Sequence, residues 1–239
     1  MFSYGSVFGM LLYLSFNTHT DIDFDVNSYT QYMFIPKIYH ELSLNRLAIH
    51  LKNTQDQGIV LDPNYDIFKV DAYPDADFTG IYGQEKYDDP ACAKSRTGFI
   101  ITFADCPILW ISKLQTETDL SKKEAEIISL ARCCRELFPI IDITQSLGKA
   151  VGLPFRVISM KLPVHEDNAS AIILARTLPP KFMPCSKYYA TNTVWFCEDI
   201  NKRNIVLFKI ATPEQLGDLF TKVLHRATFE YFRNKIMGW

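Results

Sequence analysis

The chain has 239 residues, of which 48% are hydrophobic and 13% aromatic, so it can bury a full core and is not a disordered protein. A formal net charge of -2 excludes an overall basic field, so nucleic-acid binding would have to depend on local clusters of Lys and Arg. The cysteines form no C-x-x-C pair and the histidines are scattered, which argues against a zinc site and favours reduced thiols inside a cell.

The first segment, residues 1–62, has a helical pattern. Its apolar run from Val7 to Leu14 is far too short to span a membrane and predicts a buried helix. So small a helical piece cannot bury enough apolar area to fold alone, and we expect it to dock on the rest of the chain. The contact is expected to use Phe8, Leu11, Leu12 and Leu14. A basic set either extends a track for phosphates or forms a solvated helix face: Lys37, Arg46, His50 and Lys52.

A pattern of strands follows the turn-rich stretch 62–66. Phe68, Val70 and Ala72 alternate along a first strand. Thr97–Phe103 and Pro107–Ser112 predict two more strands, and the short connection between them predicts an antiparallel meander.

Helices alternate with strands in the second half of the chain. Ser121 and Glu124 stand at capping-box spacing and predict the start of a long helix. The pattern then predicts a strand over Phe155–Val164, a helix from Lys187 to about residue 201, and a strand over Ile205–Ile210. Thr212, Pro213 and Gln215 predict the cap of a helix that carries Leu216, Leu219, Phe220 and Val223. A further helical stretch is predicted after it and holds Phe229, Phe232 and Ile236.

Four acidic residues mark junctions of these elements with the sheet: Asp75, Glu126, Asp167 and Asp218. Each has an ordinary explanation when taken singly. Asp75 could form a turn together with Asp77 before Gly80, Glu126 could belong to a solvated face with Lys122 and Lys123, Asp167 could cap a helix, and Asp218 could lie on a helix surface. Carboxylates repel one another, however, so four of them in this order favour a site for two divalent cations.

Six sequence blocks carry a closer resemblance: Asp75–Gly80, Lys94–Phe99, Ile108–Lys113, Glu124–Glu126, Glu166–Ile172 and Gln215–Lys222. In these blocks the chain resembles the ribonuclease H region of copia-type long-terminal-repeat retrotransposon polyproteins, and the resemblance spans nearly its whole length. Residues 1–62 resemble the segment that follows the reverse transcriptase palm, with Phe8–Leu14 and Asp21–Phe24 as landmarks. The sequence contains no Tyr-x-Asp-Asp polymerase box.

The resemblance implies a ribonuclease H-like α/β fold with a five-stranded mixed sheet, three of its strands in an antiparallel meander and helices on its flanks. It implies a helical thumb or connection remnant at residues 1–62 and a ribonuclease H-like domain at 66–239. The implied activity is a metal-dependent endonuclease that cuts the RNA strand of RNA·DNA hybrids during reverse transcription. The implied setting is intracellular, either cytoplasmic (in a virus-like particle) or nuclear, without membrane contact and with reverse transcriptase or integrase portions of the polyprotein as partners.

The resemblance also assigns roles to residues. One Mg²⁺ ion would be held by Asp75, Asp167 and Asp218 and a second by Asp75 and Glu126, with Mn²⁺ as a substitute, so these four are the expected catalytic and metal-binding residues. The roles of Asp77 and Glu166 stay open. The residues expected to bind substrate are Asn168, Ser170 and Lys187.

The chain departs from the family pattern at Lys187–Val194, where the usual His, Asp and Arg are missing. Lys122 and Lys123 replace small hydroxyl residues, and Ile127 replaces an aromatic residue. A second hypothesis is therefore a catalytically degenerate ribonuclease H-like module that binds nucleic acid or another protein.

Overall fold

The predicted meander forms three of the five strands of a mixed sheet. The computed structural model describes residues 4–33, 37–64, 69–80, 93–152, 162–177 and 190–239, with the side chains of 39 and 190–194 excepted. The strands are β1 (Val70–Asp77), β2 (Arg96–Phe103), β3 (Cys106–Leu114), β4 (Pro163–Glu166) and β5 (Val206–Lys209). Strand β1 pairs antiparallel with β2, which pairs antiparallel with β3, whereas β4 runs parallel to both β1 and β5. The order across the sheet is β3-β2-β1-β4-β5, and the predicted ribonuclease H-like α/β fold is confirmed.

Both faces of the sheet are covered. The helices are α1 (Tyr4–Asn17), α2 (Asp23–Tyr29), α3 (Ile38–Asn53), α4 (Lys122–Ala150), α5 (Ala169–Arg176), α6 (Ala190–Lys202) and α7 (Arg226–Met237). On one face Val70, Ala72 and Phe99 pack against the long helix α4 and the shorter α5 and α6. On the other face Ile100 and Trp110 pack against Phe220 and the C-terminal helix α7. No helix among the described residues is both long enough and apolar enough to cross a membrane.

The start of α4 confirms the predicted Ser121 cap. The Ser121 hydroxyl accepts a hydrogen bond from the Glu124 backbone nitrogen at 3.2 Å. The Glu124 carboxylate accepts in return from the Leu120 nitrogen at 2.9 Å, one residue before the position that a capping box uses. These bonds satisfy backbone donors that the first helical turn leaves free, and they fix where α4 begins.

The prediction of a helix that begins at Thr212 is wrong. Thr212–Glu214 and Leu216–Phe220 are two short 3₁₀ turns, and the C-terminal helix begins only at Arg226. Gln215 does act as a cap, because its side chain accepts from the Gly217 nitrogen at 3.3 Å. Gly217 is a poor residue for an α-helix interior, and the turn around it packs directly on the sheet.

The N-terminal helices have a core of their own. Phe8 and Leu11 are buried against Val26, Leu44 and Leu47, so they close the segment internally and are not the docking face that we expected. The N-terminal helices contact the sheet domain through a polar group: the Trp110 indole nitrogen donates to the Ser15 carbonyl at 2.7 Å. The proposed division into residues 1–62 and 66–239 stays a prediction, and residues 65–68 next to its boundary lie outside the described residues.

Four cysteines are free, buried thiols: Cys106, Cys133, Cys134 and Cys197. Cys92 and Cys185 lie outside the described residues, as does most of the predicted strand Phe155–Val164.

Candidate metal centre

Three of the four predicted carboxylates meet at one end of the sheet. Asp75, Glu126 and Asp167 each offer an oxygen, and these oxygens lie within 4.8 Å of one another. Asp75 belongs to β1, Glu126 to the first turns of α4, and Asp167 follows the last residue of β4. Asp75 and Glu126 are only 1% and 0% exposed, so they are neither an exposed turn nor part of a solvated helix face.

Hydrogen bonds hold the first two carboxylates in place. The Ala76 backbone nitrogen donates to Glu126 Oε2 at 2.9 Å, which ties the start of α4 to β1. One helical turn further along α4, the Ser129 hydroxyl donates to the Asp75 carbonyl oxygen at 2.6 Å. The helix and the strand therefore position their carboxylates relative to each other.

Asp218 reaches the same region on the Leu216–Phe220 turn. It is buried, and it is joined to Asp75 through the Lys222 ammonium group, which lies 2.6 Å from Asp218 Oδ1 and 3.2 Å from Asp75 Oδ2. The Thr221 hydroxyl also donates to the Asp75 carboxylate. Asp218 is not a member of the three-carboxylate cluster, although it adjoins Asp75.

Two glycines allow this turn to lie on the sheet. A Cβ atom at Gly217 would come 2.8 Å from the Asp75 Cβ and 2.7 Å from the Tyr73 carbonyl oxygen. A Cβ atom at Gly98, on the neighbouring strand, would come within 2.6–2.7 Å of the Thr221 and Phe220 side chains. Any larger residue at either position would push the turn, and Asp218 with it, away from Asp75.

Glu166 is a further buried acid beside the cluster. Its side chain is fully buried, and its Oε1 accepts from the Asn168 nitrogen at 3.0 Å. Asp77, at the end of β1, is half-buried. The sequence left the roles of both residues open, and alternation along a strand could not have shown that Glu166 lies inside.

Repulsion within this group appears in the pKa values. Burial, followed by the charges of Asp75 and Asp167, raises the pKa of Glu126 from 4.5 to about 9. Burial and Glu126 together raise the pKa of Glu166 well above its usual range. Burial and Asp75 raise the pKa of Asp218 to about 7, although Lys222 opposes that change. A metal-free site of this kind therefore retains protons that separated carboxylates would lose.

The residues fit a hard divalent cation. At this site, three buried carboxylate oxygens have no hydrogen-bond partner among the described residues, namely Glu126 Oε1, Asp167 Oδ1 and Glu166 Oε2. Oxygen ligands of this kind suit Mg²⁺, and a cation would offset the cost of burying like charges together.

The predicted substrate-binding residues have mixed surroundings. The Asn168 side chain caps α5 by accepting from the Ser170 and Ala171 nitrogens at 3.0 and 3.2 Å, so Asn168 and not Asp167 is the cap. Asp167 instead accepts from the Thr212 hydroxyl at 3.1 Å. Ser170 is exposed, and Lys187 lies outside the described residues.

Comparison with known proteins gives relatives of one kind. The chain is 31% identical over 234 residues to the retrovirus-related Pol polyprotein from transposon RE2 of Arabidopsis thaliana, and 30% identical over 234 residues to that from transposon RE1 of the same plant. It is 28% identical over 227 residues to the retrovirus-related Pol polyprotein from transposon TNT 1-94 of Nicotiana tabacum. These alignments cover 95–98% of this chain but only 15–16% of the polyproteins.

No protein-family model matches the chain. Among solved structures, LC11-RNase H1, isolated from compost, matches with a TM-score of 0.38 and 15% identity, over 65% of this chain and 94% of that one. A structural similarity with so low a TM-score and identity carries no argument beyond the strand order already described. The sequence relatives, in contrast, align over nearly the whole of this chain, which therefore resembles a single region of retrovirus-related Pol polyproteins from copia-type transposons.

Proposed function

We propose that this chain is a metal-dependent endonuclease that hydrolyses the RNA strand of RNA·DNA hybrids. The observation that carries the proposal is the convergence of Asp75, Glu126 and Asp167 within 4.8 Å, with Asp218 alongside. The relatives are Pol polyproteins, which supports a role in handling nucleic acid inside the cell. A paired-cation site at buried carboxylates is a common catalyst of phosphodiester hydrolysis.

The proposed ligand sets are those that the resemblance implies. Asp75, Asp167 and Asp218 would hold one Mg²⁺ ion, and Asp75 and Glu126 would hold the other. When bound, the ions would supply an activated water and neutralise the charge that develops on the phosphate. The protein's own contribution is orientation, because the Ala76 nitrogen fixes Glu126 and the Ser129 hydroxyl fixes the backbone at Asp75. Asp167 is the partly exposed member of the three-carboxylate cluster, so we expect the substrate strand to approach from its side.

Cleavage of an end-labelled RNA·DNA hybrid tests the proposal directly. The unmodified protein should cut the RNA strand when Mg²⁺ or Mn²⁺ is present and should stop when EDTA is added. Asp75→Asn should abolish cutting, because the variant removes the charge that both ligand sets share. Asp105→Asn is a matched control, since this exposed aspartate lies in the β2–β3 turn at a positive φ of 68° that asparagine tolerates. No cutting by the unmodified protein, or cutting that survives Asp75→Asn, would contradict the proposal.

A non-catalytic hybrid-binding module is the second candidate. The departure from the family pattern at Lys187–Val194 favours it, and Lys187–Tyr189 lie outside the described residues. Titration calorimetry with Mg²⁺ separates the two candidates. A degenerate module should show no cation binding that depends on Asp75 and Asp167, yet it should still bind the hybrid.

A further inference from the structure

Lys222 places a positive charge between two carboxylates of the site, whereas Lys122 lies 3.9 Å from a third, Glu126, and is largely exposed. Its ammonium nitrogen is 2.6 Å from Asp218 Oδ1 and 3.2 and 3.3 Å from the two oxygens of Asp75. The Lys222 side chain is only 27% exposed, and both acids are almost fully buried. The contact is therefore a partly buried ion triad and differs from the exposed pairs that contribute little.

The position follows from the turn that carries Asp218. Lys222 comes four residues after Asp218 and two residues after the Leu216–Phe220 turn, which Gly98 and Gly217 allow to lie on the sheet. The turn therefore brings an acid and a base to Asp75 at once, and Thr221 adds a hydroxyl donor to the same carboxylate. Thr221 and Lys222 therefore both contact the Asp75 carboxylate from one short segment, and Asp218 of the same segment pairs with Lys222.

The ammonium group shares its two partners with the proposed metal. Asp75 and Asp218 belong together to one of the proposed ligand sets, so a divalent cation and Lys222 compete for the same oxygens. A lysine carries its charge on a flexible four-carbon stem, so the ammonium group can leave without moving the backbone. The partial exposure of the side chain leaves room toward solvent.

We propose that Lys222 is the internal counter-cation of the metal-free site, a positioning residue that holds Asp75 and Asp218 together until a divalent cation replaces its ammonium group. This inference rests on the proposed metal-dependent function. It accounts for how two buried carboxylates remain adjacent before metal binds. It also means that the protein's metal affinity is lower than its carboxylates alone would give.

Removal of the Lys222 charge should lower the melting temperature of the metal-free protein and raise its affinity for divalent cations. Lys222→Met leaves the two buried acids without their counter-charge, so the metal-free protein should melt at a lower temperature. The same variant removes the competitor, so Mg²⁺ and Mn²⁺ should bind about tenfold more tightly or better, given the strength of a unit charge at this distance. A purely structural role for Lys222 would lower the melting temperature without tightening metal binding.

The experiment combines calorimetric titration of Mg²⁺ and Mn²⁺ with melting curves in EDTA and in Mg²⁺. Lys222→Gln repeats the test with a polar side chain and decides the question if the methionine variant does not fold. Lys222→Arg keeps the charge and should restore the metal-free melting temperature without tightening metal binding. Lys202→Met is the matched control, because Lys202 forms an exposed ion pair with Glu198 on the surface.

The outcomes separate the inference from the function on which it rests. If the unmodified protein binds no divalent cation, both the metal centre and the role of Lys222 are wrong. If the unmodified protein and its Lys222 variants bind the cation with equal affinity, the metal centre stands and the proposed role of Lys222 is wrong. If Lys222→Gln binds metal unchanged but loses affinity for the hybrid, Lys222 is a substrate contact and the counter-cation assignment is wrong.

Discussion

The backbone nitrogen of Ala76 donates to Glu126 Oε2 at 2.9 Å, and this bond joins two residues that are fifty positions apart in the sequence. It fixes the first turns of α4 against β1 at the point where Asp75 lies. The other oxygen of Glu126, Oε1, has no hydrogen-bond partner among the described residues. One half of the carboxylate is therefore structural, and the other half lies 3.9 Å from the ammonium group of the largely exposed Lys122 and can accept a cation.

Glu126→Gln should separate these two halves. The amide oxygen of the variant can still accept from Ala76, so the fold should be kept, while cation binding and hybrid cleavage should fall at least about 100-fold. Titration calorimetry and the cleavage assay measure both effects. Retention of cleavage in the variant would show that Glu126 is not a ligand.

The same variant carries a prediction about pH. The pKa of Glu126 is about 9 in the folded protein against 4.5 ordinarily, so the folded state keeps a proton that the unfolded state loses between these values. In EDTA, the stability of the unmodified protein should therefore fall as pH rises through this window, and Glu126→Gln should lessen the fall by about 2 kcal/mol. Urea unfolding across the window measures this difference.

Gly217→Ala should damage the site through the backbone. The added methyl group would collide with the Tyr73 carbonyl oxygen and the Asp75 Cβ, so the turn must shift and carry Asp218 away. We expect a loss of about 1–3 kcal/mol in the free energy of unfolding, together with weaker cation binding. Gly9→Ala is the control, because nothing lies within 4 Å of its added methyl group and helix α1 should gain stability. Equal behaviour of the two variants would contradict the packing argument.

Asp23→Asn should remove a pH dependence that lies outside the carboxylate site. Burial raises the pKa of Asp23 from 3.8 to about 7, against the opposing effects of Ser15, Ser112 and Arg96. Because the folded pKa is the higher one, Asp23 makes the protein less stable as pH rises from about 4 to about 7. The variant should flatten this part of the stability profile and should be the more stable protein at pH values above it.

The control for this effect is Asp142→Asn. Asp142 forms an exposed pair with Arg203, and its removal should change stability by less than about 1 kcal/mol. Urea unfolding of the three proteins over the same pH series gives the comparison. An unchanged slope in Asp23→Asn would show that the carboxylate is ionised throughout.

Trp110→Phe should loosen the N-terminal helices. The variant loses the indole donor to the Ser15 carbonyl, which is buried at the contact between α1 and the sheet, and should cost about 1–3 kcal/mol. Limited proteolysis should then release residues 1–62 sooner. Trp195→Phe is a matched control, because the Trp195 indole nitrogen has no hydrogen-bond partner within the described part of the chain. Proteolysis at an unchanged rate would mean that this bond does not hold the segment.

The amino-acid sequence determined the elements whose patterns are local. Alternation along β1 placed Val70 and Ala72 on one face, and Ser121 with Glu124 marked the start of α4 within one residue. These features depend on neighbours a few positions apart, where backbone geometry and capping bonds act directly. The sequence also indicated the four carboxylates as a set, because they lie at strand ends and helix starts that follow one another in the order of a mixed sheet with flanking helices.

Only the tertiary structure decided which groups contact the carboxylates of the site. Asp75 accepts from Thr221 and pairs with Lys222, about 147 positions away, because two glycines let a 3₁₀ turn lie directly on the sheet. Local propensity predicted an α-helix after Thr212, because over a few residues the caps and the apolar spacing of an α-helix and of a 3₁₀ turn are the same. Burial of Glu166 and the unpartnered oxygens of the cluster likewise depend on contacts between distant strands, which no local pattern encodes.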